Sequence, residues 1–345
     1  MRWTSFERGA VATAAGLIGS TVVLVAGCGS SNHEQLADAG GVGVDAAPDS
    51  FAEAAAHEDA SPEAAVEAPD DGGDAGEPGW STVMSAATNG GFYGVWGSGA
   101  TDVWAVGDYG VSYWDGSAWS AATGTTGLRC VWGSSATDVW AAGVGGVIQH
   151  WDGTGWTPSS SGTTDYVLGV WGSGAGDAWA VGRNGTALHW NGSAWSPSAS
   201  GATGDLEGVW GTSASDAWAV GLGGAIEHWD GSAWSPSPSG TTTELNAVWG
   251  TGTGDVWIGG NSVTLHWDGT AWSPSASNAQ NGLYGLWGSS VTDVWGVGGF
   301  GPILQWNGTV WQPSTVTANQ LRSVWGSSAT DVWAVGDFQT ILHHP

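Results

Sequence analysis

From about residue 80 onward, short apolar runs of strand length alternate with polar, glycine-rich turns, and the whole pattern repeats. Its fullest copy is VWGSSATDVWAVG, beginning at Val324. The first Trp of each copy falls at Trp96, Trp132, Trp171, Trp210, Trp249, Trp287 and Trp325, and a second Trp follows eight residues later every time. A period of 36 to 39 residues this regular marks a folding unit.

Each unit reads as four strands. Strand A carries a small residue, Val or Leu, Trp and Gly, as from Gly94 to Gly97. A polar loop ending in Asp leads to strand B, such as Val139 to Gly143, whose Gly three residues past the Trp is present in all seven copies. Strand C ends in His-Trp or a variant. An Asp-Gly or Asn-Gly pair then turns the chain into strand D, at Asp115-Gly116, Asp152-Gly153, Asn191-Gly192, Asp230-Gly231, Asp268-Gly269 and Asn307-Gly308. Such pairs favour hairpins in which both central residues take positive φ.

Strand counting predicts closure. Seven A, B and C strands occur, but the chain stops at Pro345 before a seventh D. Trp80, in PGWST, stands upstream of the first A strand and reads as the missing D. His343 and His344 occupy the places of His and Trp in other copies. One N-terminal strand joined to three C-terminal ones removes the exposed sheet edges of an open array. The expected fold is all-β, a seven-bladed β-propeller of four-stranded antiparallel blades over residues 80–345.

Twenty-seven of the 28 Trp lie in that region, where 18 Asp or Glu face three Arg and no Lys. Ion pairing cannot hold such a chain together, whereas each buried Trp removes on the order of 200 Å² from water, about 5 kcal/mol gross. The fold therefore rests on aromatic packing.

The chain's start reads differently. Arg2 and Arg8 precede an apolar run from Val11 to Ala26, and Val25-Ala26-Gly27-Cys28 resembles the lipobox of bacterial lipoproteins. The resemblance implies a leader over 1–27, cleavage before Cys28, and acyl chains there that anchor the protein at about 0.8 kcal/mol per buried CH₂. Gly29 follows the Cys; in Gram-negative lipoproteins Asp there commonly marks the inner membrane, so the resemblance implies the outer one. An uncleaved signal anchor is the alternative, although the run is short for a spanning helix. Residues 28–79 hold 13 acids and no Lys or Arg, the composition of a solvated, disordered tether reaching on the order of 40 Å or more. Asp70, Asp71 and Asp74 lack the alternating spacing of a calcium loop.

Without the leader the formal charge is −28, so nucleic acid is excluded as a partner. With Cys28 lipidated, Cys130 has no internal partner, and its place in strand A suits a small buried side chain. His150, His189, His228, His266 and His343 share one slot of strand C; equivalent positions in a ring diverge, so they read as hydrogen-bonding groups rather than metal ligands. Asp102, Asp138, Asp177, Asp216, Asp255, Asp293 and Asp331 precede the B Trp and read as acceptors for backbone N–H groups that lock the A–B loop. No cofactor, metal or catalytic constellation emerges. The Asp-Gly-Ser-Ala-Trp turns are similar to sialidase Asp-boxes, but that spacing, the Arg triad and a paired carboxylate are missing.

Candidate binding residues lie where the copies differ, on B–C and D–A loops that emerge at one face. Three residues before the A Trp, at the expected channel mouth, stand Tyr93, Arg129, Leu168, Glu207, Asn246, Tyr284 and Arg322. Because blade seven abuts blade one, Tyr284, Arg322, Tyr93 and Arg129 should form one arc. Nearby B–C loops add Asp108, Tyr109, Phe300, Asp337 and Phe338. The arc is read as a site for an acidic glycan or a carboxylate-bearing peptide, with Arg129 and Arg322 as anion clamps and the tyrosines as stacking platforms.

The segment from Trp80 to Pro345 resembles the tryptophan-rich VWGSSATDVWAVG repeat proteins of myxobacteria and related envelopes, many secreted or lipidated and sometimes labelled type IV pilus biogenesis-like. The resemblance implies a propeller; no pilus-type calcium loop accompanies it here. The expected role is a lipid-anchored envelope binding or scaffold protein with an envelope-protein, glycan or peptide partner. The alternatives are a lectin-like adhesin and, third, a glycan-active enzyme.

Overall fold

The computed structural model describes residues 79–85, 90–277, 279, 281–317 and 319–345. The expected leader, Cys28 and the acidic tether lie outside the described residues. Seven antiparallel sheets are arranged as the blades of a propeller. Blade 2 is representative, with strands A to D at Leu128–Ser135, Asp138–Gly143, Ile148–Trp151 and Trp156–Ser159. Trp132 pairs across the A–B ladder with Trp140, and Trp151 across the C–D ladder with Trp156.

Tryptophan packing joins the blades. Trp104 of blade 1 receives Trp151 tilted at 5.1 Å and Trp156 edge-on at 5.4 Å from blade 2. Trp140 receives Trp190 and Trp195 of blade 3 in the same way, at 4.7 and 5.2 Å. Such pairs contribute roughly 0.5–1.5 kcal/mol each beyond the area they bury. The A Trp fits against the next blade's strand A: a Cβ on Gly133 would lie 2.5 Å from the Trp96 ring, and one on Gly97 2.7 Å from Trp325. The Gly of every VWG is the socket for its neighbour's indole.

Closure occurs as expected. Ser81–Met84 pairs with Thr340–His344, with Ser81 opposite His343 and Thr82 opposite Leu342. Trp80 stands edge-on to Trp295 at 5.3 Å, and His344 takes the Trp position 5.1 Å from the same ring. Burial lowers the His344 pKa.

Three local expectations need correction. Blade 1 has a three-stranded sheet, at Phe92–Gly99, Asp102–Gly107 and Gly110–Trp114, and its outer segment makes only the isolated bridges Trp114 to Trp119 and Val111 to Thr123. The two bridges differ in register by one residue, so they do not join into a continuous ladder, and the segment is also short: Trp119 to Trp132 spans two residues fewer than Trp156 to Trp171.

In the C–D turns only the Gly takes positive φ, as at Gly116 (φ 90°). Asp115 acts instead through its side chain, Oδ1 accepting from the Ser117 amide and hydroxyl at 2.8 and 2.7 Å and from the Ala118 amide at 2.9 Å. These bonds, the Ser117 hydroxyl foremost, hold its carboxyl down at about 2.

The repeated Asp before the B Trp does not lock backbone N–H groups. Asp138 accepts from the Ser134 hydroxyl on one oxygen and meets His150 Nε2 at 2.6 Å on the other. The His ring stacks on Trp140 at 4.1 Å. The Asp and His slots are therefore two halves of one bond, formed with His189, His228, His266 and His343 as well, and with Gln305 in blade 6. Cys130 is buried, as its strand position suggested.

Candidate binding face

Each strand A opens with a β-bulge. In blade 2 the register shifts between Leu128 and Cys130, and the equivalent shift recurs in every blade. A bulge leaves one residue unpaired and re-aims its side chain. The residue so placed is the variable one three positions before the A Trp, while its predecessor, such as Leu128 or Leu206, is fully buried. All seven variable residues line one cavity of about 170 Å³ at the axis.

The four arc residues come together as a continuous ladder. The Arg129 guanidinium lies 4.0 Å over the Tyr93 ring; that of Arg322 is 5.5 Å from Tyr93 and 5.6 Å from Tyr284. Carboxylates from the B–C loops anchor it. Asp108 accepts from the Gly91 amide at 3.1 Å, the Tyr93 hydroxyl at 3.1 Å and Arg129 at 3.0 Å. Asp337 takes Arg322 through both oxygens, at 3.0 and 3.4 Å. Burial, reinforced by the Asp108 charge, pushes the Tyr93 hydroxyl up to about 12.

This geometry changes what the arginines offer. The Arg129 side chain is only 1% exposed, and each clamp already holds a carboxylate of its own chain. An incoming anion meets a neutralised ladder, so the ladder's open contribution is its flat, polarisable surface.

The B–C loops at this end of the blades carry three exposed aromatics. Tyr109, Phe300 and Phe338 occupy the same loop position in blades 1, 6 and 7, which are consecutive around the ring, and are 45%, 60% and 41% exposed. Phe338 adopts φ 58°, ψ 32°. Blades 2 and 4 carry Gly145 and Gly223 in that conformation, and blade 3 Asn184. A bulky residue there costs on the order of 1–2 kcal/mol, and strain of this kind clusters at functional sites.

The opposite side of the mouth is acidic. Glu207 of blade 4 and Asn246 of blade 5 face the axis beside Leu168, with Asp205 and Glu244 on the adjoining loops. Arg183 is the cation of this side, 3.7 Å from Asp205 and stacked 4.2 Å over Tyr166. Burial, then the charges of Glu244 and Asp205, push the Glu207 carboxyl up to about 7 against the weaker pull of Arg183. Sequence reasoning placed Glu207 and Asn246 at the mouth but assigned them no role. Among the described residues, no group of three or more His, Cys, Asp or Glu is placed to hold a metal ion.

No family model matches the chain, and no curated protein does. Solved propellers share its fold. YCF48 bound to D1 peptide superposes with a TM-score of 0.64 at 19% identity, covering 78% of this chain and 97% of that one. YCF48 from Cyanidioschyzon merolae gives 0.62 at 18% identity, covering 77% and 98%. The WD40 β-propeller domain of Doa1 gives 0.64 at 12% identity, covering 77% and 96%.

Proposed function

We propose that this chain is a lipid-anchored cell-envelope protein that works by binding, not catalysis, and that it takes a segment of a partner protein on the face built by the B–C and D–A loops. The observation that carries this reading is Phe338. An exposed aromatic held in a left-handed conformation, with Tyr109 and Phe300 at the same position of the neighbouring blades, presents anchors rigidly to a partner. The Tyr284, Arg322, Tyr93 and Arg129 ladder supplies the floor on which the segment lies. A propeller of similar fold, YCF48, has been solved with a bound peptide, which supports a peptide or protein as the class of partner.

The test is photo-crosslinking in whole cells with a reactive side chain at position 338 and, as a control, at the exposed position 310 in a C–D turn. A defined adduct from 338 alone, lost when Phe300 and Tyr109 are changed to Ala, is the expected result. Equal products from both positions would overturn the reading.

Glycan binding is a second reading with its own observation. Between the outer segment of blade 1 and blade 2 lies a cavity of about 580 Å³ lined by Trp104, Tyr113, Trp151 and Trp156, with Asp102 and Gln149 at its wall. Aromatic faces beside hydroxyl-binding groups suit a sugar ring. Affinity for isolated envelope polysaccharide that is lost on Trp156→Ala would favour it.

A further inference from the structure

The junction of blades 1 and 2 leaves open a side chain that the other junctions bury. Gln149 lies two residues before Trp151, which packs on Trp104 of blade 1, so both side chains project from the face turned to blade 1. Strand pairing agrees, since Gln149 stands opposite Ala141 of the apolar cluster that the two blades share. In the other six blades this strand C position is buried, as Ser112, Leu188, Glu227, Leu265, Leu304 and Leu342. Gln149 is part-exposed; its amide oxygen and nitrogen both reach solvent, and neither has a hydrogen-bond partner among the described residues.

Trp156 departs from its equivalents in the same way. The strand D indoles of Trp80, Trp119, Trp195, Trp234 and Trp311 have a buried Nε1, and that of Trp272 donates to Ser237 at 3.2 Å. Trp156 is part-exposed, and its Nε1 reaches solvent without a partner among the described residues. Thr125, on the connection from blade 1, adds a hydroxyl that bonds none of the described residues. Free hydrogen-bonding groups beside apolar rings are the make-up of a small-molecule site, and about 580 Å³ falls within the roughly 300–1,000 Å³ of such sites.

The charge of the wall narrows the choice of ligand. Asp102 is its one formally charged residue, and among the described residues no Lys, Arg or His lines it. In five blades the equivalent Asp meets a His, whereas strand C of blade 1 carries Tyr113 in that place. An anionic sugar entering between the rings would lose solvation and meet only a like charge.

We propose that this cavity holds one neutral pyranose unit of a glycan, with Gln149 and Trp156 as its hydrogen-bonding residues. The inference rests on the glycan reading and names the sugar class: uncharged, in place of the acidic glycan that the sequence suggested at the ring's axis. The C–H face of the sugar covers the part-exposed rings of Tyr113 and Trp156. Its hydroxyls accept from the indole N–H and exchange bonds with the Gln149 amide and the Thr125 hydroxyl, each of which can both donate and accept.

Isothermal titration calorimetry on the full chain tests this with cellotriose and triacetylchitotriose as neutral probes and trigalacturonate as the acidic one. About 1 M NaCl shortens the screening length to about 3 Å, so the overall charge of the chain does not set the outcome. At least one neutral trisaccharide should bind, tenfold or more tighter than trigalacturonate. Gln149→Leu introduces the residue that four other blades carry, and should weaken this binding at least tenfold; a thermal melt verifies folding. Trp156→Phe keeps an aromatic ring and removes the N–H, which identifies the Trp156 indole resonance in the parent; that resonance should shift when the sugar binds. No binding of either neutral sugar at about 10 mM, or a smaller margin over trigalacturonate, overturns the proposal. A smaller loss in Gln149→Leu or an unmoved Trp156 resonance does the same. Envelope polysaccharide that binds and is lost in Trp156→Ala, together with trigalacturonate binding as well as the neutral sugars, sinks this inference alone. A neutral sugar held in the cavity with no affinity for envelope polysaccharide sinks the glycan reading instead.

Discussion

His150 Nε2 lies 2.6 Å from Asp138 Oδ1, joining strand C of blade 2 to the start of strand B while the imidazole covers the face of Trp140. The same arrangement in four further blades makes it a repeated clasp for the Trp cluster between blades. His150→Ala removes both the bond and the stacked ring. It should cost about 1–2 kcal/mol, read as a lower urea midpoint at unchanged slope.

Gly133→Ala should cost about 3 kcal/mol. Its new methyl would lie 2.5 Å from the Trp96 ring and 2.7 Å from the Asp138 carbonyl oxygen, and the backbone atom cannot give way. Gly99→Ala, with open space around its Cβ position, should stay within about 0.5 kcal/mol of the parent. Paired urea titrations check both.

Trp80→Ala should loosen the ring where it closes. The indole packs on Trp295 and His344, and its loss exposes the joint between the N-terminal strand and Thr340–His344. A destabilisation of about 3 kcal/mol is expected, with hydrogen exchange rising first at 340–344.

Glu207 sets a pH dependence with a defined sign. Its folded pKa of about 7 lies above the ordinary 4.5, so the folded state binds the proton more tightly. Stability linked to this group is fully present below about 4.5 and is lost as pH rises through about 7. Thermal melts should show Glu207→Gln gaining a few degrees over the parent at pH 8 and nothing at pH 4.5.

Cys28→Ser should abolish metabolic palmitate labelling and shift the protein from the membrane to the soluble fraction. Persistence of the label would assign it to another residue and remove the proposed anchor.

The ladder shows where sequence reading succeeds and where it stops. Tyr284, Arg322, Tyr93 and Arg129 could be placed side by side because one repeat position in a closed ring has fixed neighbours. That Asp108 and Asp337 occupy the two guanidinium groups could not be read, because it depends on how far each B–C loop folds inward. The clasp was missed for a related reason: Asp138 and His150 are twelve residues apart, and only strand pairing brings them together. The short blade 1 left a trace in the spacing, since its 36-residue interval is the smallest.

The amino-acid sequence alone determined the number of blades, the order of strands and the closure by Trp80, because periodicity and strand count are properties of the chain in one dimension. Tertiary structure alone decided which charges are already neutralised and which acceptors stand empty, as at Arg129 and Asn246. Electrostatic pairing and desolvation depend on distances between residues from different blades, and those distances exist only once the ring has closed.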